Sequence, residues 1–190
     1  MNLGFFILAA AIVVPYGAAP QPDCSEAVTP GVHAAPLSSE QKHSAEVGDP
    51  KSQFQLAMAY EFGCGLPANL LTAAKWMRRS ADQGYAQAQN DLGVMYRMGQ
   101  GVPKDLEQAV KWYRLAAKQG EAAAAFNLGT AYFNGEGVGE DPIKAFMWMT
   151  AAKDGGSDIA SEALGHIDLL ERLTQLAGRE VALNQEFVSR

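Results

Sequence analysis

The sequence predicts an all-α protein, an alpha-alpha superhelix in which 36-residue helical hairpins stack as a right-handed solenoid. Three observations carry this. Displacing the chain against itself by 36 residues aligns Leu56, Leu92, Leu128 and Leu164, and with them Tyr60, Tyr96 and Tyr132, then Trp76, Trp112 and Trp148. Each copy holds a spaced glycine pair in the same register: Gly63 and Gly65, Gly99 and Gly101, Gly135 and Gly137. Asn69, Asp105 and Asp141, again 36 apart, stand where a second helix would open. A fixed period of this length marks an array whose units bury their apolar faces on one another.

The elements follow in chain order. Residues 1–19 read as a signal peptide: Leu3 to Val14 is apolar throughout, and Gly17-Ala18-Ala19 forms a small-residue exit. That run is too short for a comfortable membrane span. The alternative is an uncleaved N-terminal anchor, because no Lys or Arg precedes the run and Pro20 follows the expected cut. The chain is accordingly expected to be periplasmic or secreted, with no stable membrane insertion once the leader is removed. If the segment is retained, it is membrane-anchored. Residues 20–37, rich in Pro and Ala, form a flexible lead-in.

Residues 38–48 look like half a repeat, a capping helix, since "KHSAEVGD" echoes "RRSADQGY". Full repeats are expected at 49–84, 85–120 and 121–156. In each, the first helix carries apolar residues at helical spacing, such as Leu92, Met95 and Tyr96. The glycine pair ends that helix, because glycine enters the left-handed region without steric cost. Asn69, Asp105 or Asp141 then caps the second helix, its side-chain oxygen accepting a backbone N–H bond. Pro142 takes the first helical position, where a missing N–H costs nothing. Ala109, Trp112 and Ala116 are spaced three and four, for one buried face. Trp112 is expected to be a core ring whose removal costs about 3–5 kcal/mol. Residues 157–190 read as a degenerate fourth repeat and capping helix: Leu164 and Gly165 persist, but Asp168, Glu171 and Leu173 replace the Tyr and glycine columns.

Composition sets limits on function. Hydrophobic residues make up 48% and charged residues 19%, which suits a globular protein with a continuous core. The formal net charge is -6 and no basic run occurs, so nucleic acid and anionic membrane surfaces are disfavoured as partners. Cys24 and Cys64 are the only cysteines. In an oxidising compartment they could pair; otherwise they are two separate thiols. No Cys/His spacing suits a metal, no cofactor is implied, and His33, His43 and His166 are scattered. The Gly-x-Gly pairs sit at helix C-ends, where exposed carbonyls repel phosphate. Ser39-Glu40-Gln41-Lys42 matches the SxxK nucleophile motif of penicillin-recognising enzymes. Its SDN and KTG companions are missing, and the same residues suit the start of a solvated helix.

The stretch "LGVMYRMGQGVPKDLEQAVKWYRLAAKQG" resembles the Sel-1-like repeat, a relative of the tetratricopeptide repeat, and the likeness extends over about residues 38 to 170. The first copy departs in having Ala57 where later copies have glycine, and the third in having Ala151-Ala152 one place early. The resemblance implies a non-enzymatic adaptor, here an exported bacterial member, that binds a partner protein or peptide. Some secreted members staple each hairpin with a cysteine pair, and the helices here hold no such pair. In the tetratricopeptide relative, first helices line a concave groove. The matching rows here are Phe54, Asn90 and Phe126; Met58, Val94 and Thr130; and Glu61, Arg97 and Phe133, with Phe62, Met98 and Asn134 beside them. Such a mixture suits a peptide with apolar anchors oriented by Arg97. Phe54, Phe126 and Met58 could instead pack between hairpins. Three repeats also leave room for weak self-association. The alternative function is a secreted beta-lactam-binding, hydrolase-like protein.

Overall fold

A computed structural model describes residues 37–165, and among these every regular element is an α-helix. The helices are α1 (Ser39–Val47), α2 (Pro50–Phe62), α3 (Leu70–Asp82), α4 (Ala86–Met98), α5 (Leu106–Ala117), α6 (Ala122–Asn134) and α7 (Pro142–Asp154). A further helix, α8, runs over 158–165 to the edge of the described region. The leader at 1–19, most of the lead-in and the chain beyond 165 lie outside the described residues, as does Cys24.

Local chemistry sets the helix ends. Ser38 closes a capping box with Gln41: the Gln41 N–H donates to Ser38 Oγ at 3.1 Å, and the Ser38 N–H donates to Gln41 Oε1 at 2.9 Å. Asn69, Asp105 and Asp141 accept from the N–H groups of Thr72, Gln108 and Lys144 at 3.0, 3.0 and 2.9 Å. The expected cap column is thus in place. The N–H of each capping residue also donates back to the Tyr60, Tyr96 or Tyr132 carbonyl, at 2.7 to 2.9 Å, which ties the turn to the helix it leaves.

Packing is sequential, each helix lying on its chain neighbours. One buried cluster joins α2, α3 and α4 around Phe54, Met77, Leu92 and Met95. A second joins α5, α6, α7 and α8 around Val110, Tyr113, Leu128 and Ala160. Tyr96 packs against both, so the core runs on between them. Two of the glycines show how tightly the units fit. A Cβ at Gly93 would lie 2.6 Å from the Tyr113 ring, and one at Gly101 would lie 2.1 Å from the Leu70 carbonyl oxygen. The first contact lets α5 close on α4; the second seats the turn on the preceding hairpin, and Gly137 repeats it against the Leu106 carbonyl oxygen at 2.2 Å.

The tryptophan column corrects an expectation. Trp76, Trp112 and Trp148 are only partly buried and pack at the margins of the clusters, with Arg79 lying over the Trp76 ring at 4.4 Å. The fully buried large side chains are one residue further on: Met77, Tyr113 and Met149. Tyr113 and Met149 lie against Gly93 and Gly129, where an added Cβ would meet them at 2.6 and 2.8 Å.

Polar side chains repeat as well. Arg78 donates to the Tyr96 hydroxyl, and Arg114 to the Tyr132 hydroxyl at 3.1 Å. Along one edge, Gln53 donates to the Ala45 carbonyl and accepts from Gln83, and Gln89 donates to the Ala81 carbonyl and accepts from Gln119. Each relay fastens three consecutive helices at their ends.

Candidate functional site

The face shared by α2, α4 and α6 is built of one residue type per column in some rows and of misfits in others. Phe54 belongs to the core, contrary to the groove expectation. It is 5% exposed, packed in the α2–α3–α4 cluster with its ring 5.3 Å from that of Tyr85 at the start of α4. Met58 and Phe126 are partly buried, each resting on a core cluster. Asn90 is likewise buried and not a free groove residue: Asn127 donates to its carbonyl oxygen at 2.9 Å, and its amide donates to Asp91 at 3.0 Å. The first of these bonds links α4 to α6, and the second lies within α4.

Glu61, Arg97 and Phe133 stay partly exposed on this face, while Met98 and Asn134 are exposed at its edge, with Asn134 donating to Glu136 at 3.5 Å. Burial pushes the Glu61 carboxyl up to about 7, with the neighbouring Asp91 charge adding to it. Burial likewise raises Asp91 to about 6, against the Asn90 bond that lowers it, and Glu121 raises it further. These carboxylates line the α2–α4 seam with no ion pair among the described residues.

The α4–α6 seam is different. Arg97 reaches into a crevice shared with Tyr113, Asn127, Thr130 and Glu136, floored by Ala109 and Val110. Burial pushes the Tyr113 phenol up to about 12, while the Arg97 charge and an Arg97 side-chain hydrogen bond draw it the other way. Arg97 Nε itself is buried there without a hydrogen-bond partner. A larger hollow of about 380 Å³ lies beside α3, lined by Lys75, Arg78, Arg79 and Asp82 among others; Arg78 is engaged with Tyr96, and Arg79 lies over Trp76.

Sequence reasoning placed Arg97, read Glu136 as a solvated loop charge beside the glycine turn, and passed over Asp91, Tyr113 and Asn127. A signal for two of them was present: Tyr113 breaks a column of methionines, Met77 and Met149, and Asp91 stands between Gln55 and Asn127. Ser39 and Lys42 lie in the solvated first turn of α1, the start-of-helix reading of that motif. Cys64 is buried and is not a free thiol. Among the described residues no group of His, Cys, Asp and Glu could hold a metal ion, and no helix is long and apolar enough to cross a membrane.

Comparison with known proteins adds three findings. The Sel1 repeat family model matches residues 50–85, 86–121 and 122–157. The fold is similar to a crystal structure of a Sel1 repeat protein from Oxalobacter formigenes, with 37% identity, a TM-score of 0.63, and coverage of 67% of this chain and 96% of that one. It is also similar to the cysteine rich protein B of Helicobacter pylori, at 19% identity and a TM-score of 0.53 over 65% of this chain and 89% of that one. A search of curated proteins gives no match.

Proposed function

Because this chain belongs to the Sel1 repeat family, we propose that it is a non-enzymatic interaction scaffold that holds a partner protein or peptide on the face of α2, α4 and α6. The observation that carries this reading is Arg97, a guanidinium set into that face with no ion pair among the described residues. A charge set into a protein face is ordinarily matched by an opposite charge, and Arg97 has the Tyr113 phenol as neighbour but no carboxylate within ion-pairing distance among the described residues. Phe133, partly exposed one hairpin further on, supplies an apolar anchor at the same level. Export on residues 1–19 and a bond between Cys24 and Cys64 belong to the same reading, which sets the scaffold in the cell envelope or outside it.

The test is capture of partner from an envelope fraction by the wild type and by an Arg97→Ala/Phe133→Ala variant. Loss of capture with a melting temperature close to the wild type supports the groove. Equal loss of folding and capture counts against it. Labelling by a fluorescent penicillin, with Ser39→Ala as control, decides the hydrolase-like alternative.

A further inference from the structure

We infer that the hollow between α3 and the glycine turn after α4 is a docking site for an acidic segment of a partner protein, one that carries an apolar side chain among its carboxylates. None of the residues lining it belongs to the face of α2, α4 and α6, so the site stands apart from the groove. The hollow holds about 380 Å³, within the range of clefts that receive ligands, roughly 300–1,000 Å³. Lys75, Arg78 and Arg79 supply its charge, and Leu71 and Val102 its apolar surface. Leu71 is 59% exposed, an apolar side chain left open beside three cations.

The three charges are uncompensated, and two of them are held in place. Asp82 lines the same hollow, yet among the described residues no carboxylate lies within ion-pairing distance of Lys75, Arg78 or Arg79. Aromatic rings do the holding instead. Arg78 donates to the Tyr96 hydroxyl across the joint to the next hairpin and lies 5.4 Å from that ring. Arg79 lies over Trp76 at 4.4 Å. A guanidinium has five N–H donors, so one bond or one stacking contact leaves most of them open. A fork fixed in this way has already lost rotamer freedom, and a ligand that meets it has less ordering to offset. Carboxylate matches the fork with charge-assisted bonds.

The repeat shows that this combination is particular to α3. In α5, Lys111 and Arg114 persist, but Glu107 replaces Leu71 and Leu115 replaces Arg79. In α7, Met147, Thr150 and Ala151 stand where the three cations stood. Lys75 and Arg79 are exposed, so the core does not require them. A polyphosphate partner would call for a long basic track, whereas here the cations sit on one helix of a chain with a net charge of -6. A short acidic peptide, with its apolar side chain between Leu71 and Val102, meets both halves of the site.

The probe is a fluorescein-labelled peptide with blocked ends and one leucine flanked on both sides by glutamates. It is titrated into the full chain and followed by fluorescence anisotropy. Saturable binding that weakens with added salt is expected from the wild type. It should weaken about two- to tenfold in Lys75→Gln and in Arg79→Gln, weaken likewise in Leu71→Ser, and tighten in Asp82→Asn. All four positions are exposed, and circular dichroism checks that the helix content of each variant is unchanged. No saturable binding by the wild type, equal binding by all five proteins, or equal binding of a peptide with glutamine for glutamate overturns the site. Tighter binding of a single-stranded oligonucleotide or of phosphatidylglycerol vesicles, sensitive to the same substitutions, also overturns it, because the hollow would then serve a polyphosphate or a lipid surface. The Arg97→Ala/Phe133→Ala variant should bind the peptide as the wild type does. Failure of the groove and failure of this site are therefore read from different proteins.

Discussion

Replacing Gly101 by alanine tests the way the hairpins stack. Gly99 and Gly101 share one turn and both have left-handed backbones, at φ 76° and 67°. Alanine at either pays the backbone term, about 1–2 kcal/mol. The surroundings differ. At Gly99 the new Cβ would lie 3.3 Å from Lys104 Cβ, which a movement of the loop by about a tenth of an ångström relieves. At Gly101 it would lie 2.1 Å from the Leu70 carbonyl oxygen and 3.1 Å from Ala74 Cβ, both in the preceding hairpin. Reaching ordinary contact requires the turn to back away by roughly 1 Å, which uncovers the buried Ala74. Strain of this kind in a packed core adds about 1–3 kcal/mol. Gly101→Ala should therefore cost about 2–5 kcal/mol and Gly99→Ala about 1–2. Urea unfolding followed by helical ellipticity measures both, with the slope checked because a repeat array can unfold in stages. Equal midpoints for the two variants would refute the tight seating of the turn.

Three other outcomes follow from the packing and the charges. Tyr113→Ala should destabilise by about 3–5 kcal/mol and Trp112→Ala by clearly less, because the tyrosine fills the core and the tryptophan edges it; calorimetry of the two variants gives the order. Glu61 and Asp91 hold their protons more tightly folded than unfolded, with carboxyls near 7 and 6 against ordinary values of 4.5 and 3.8. Their stabilising contribution is therefore complete below those ordinary values and is lost as pH rises through about 6 and about 7, by at most about 3 kcal/mol for Glu61. Melting temperature against pH should flatten in Glu61→Gln, and that variant should be the more stable one in mild alkali. Non-reducing peptide mapping should recover Cys64 joined to Cys24, and opening that bond should cost about 4 kcal/mol if it is unstrained.

The hairpins could be read from the sequence because glycine turns, cap residues and apolar spacing are local and repeat in register. Asp105 declares itself by type and position, and the structure finds it accepting the Gln108 N–H. The site was harder to read, because burial depends on which neighbour covers a column. Phe54 could be read as a groove residue or as packing between hairpins, and its burial against Tyr85 decides for the second. The Trp column looked like the core, yet the closest helix approach lies one residue later, at the glycine column. Tyr113 is legible only as a misfit among methionines, and nothing local says that its hydroxyl ends beside Arg97.

The glutamine relays run out before the last hairpin. The column of Gln53 and Gln89 continues as Ala125, and that of Gln83 and Gln119 as Gly155, so nothing of the kind fastens the end of α7. Under heat or tension the array should come apart from its C-terminal side, with amide exchange quickest there and slowest near α3. A ligand seated between α4 and α6 would straddle that weaker joint, and its arrival would register as rigidity gained at the far end of the rod.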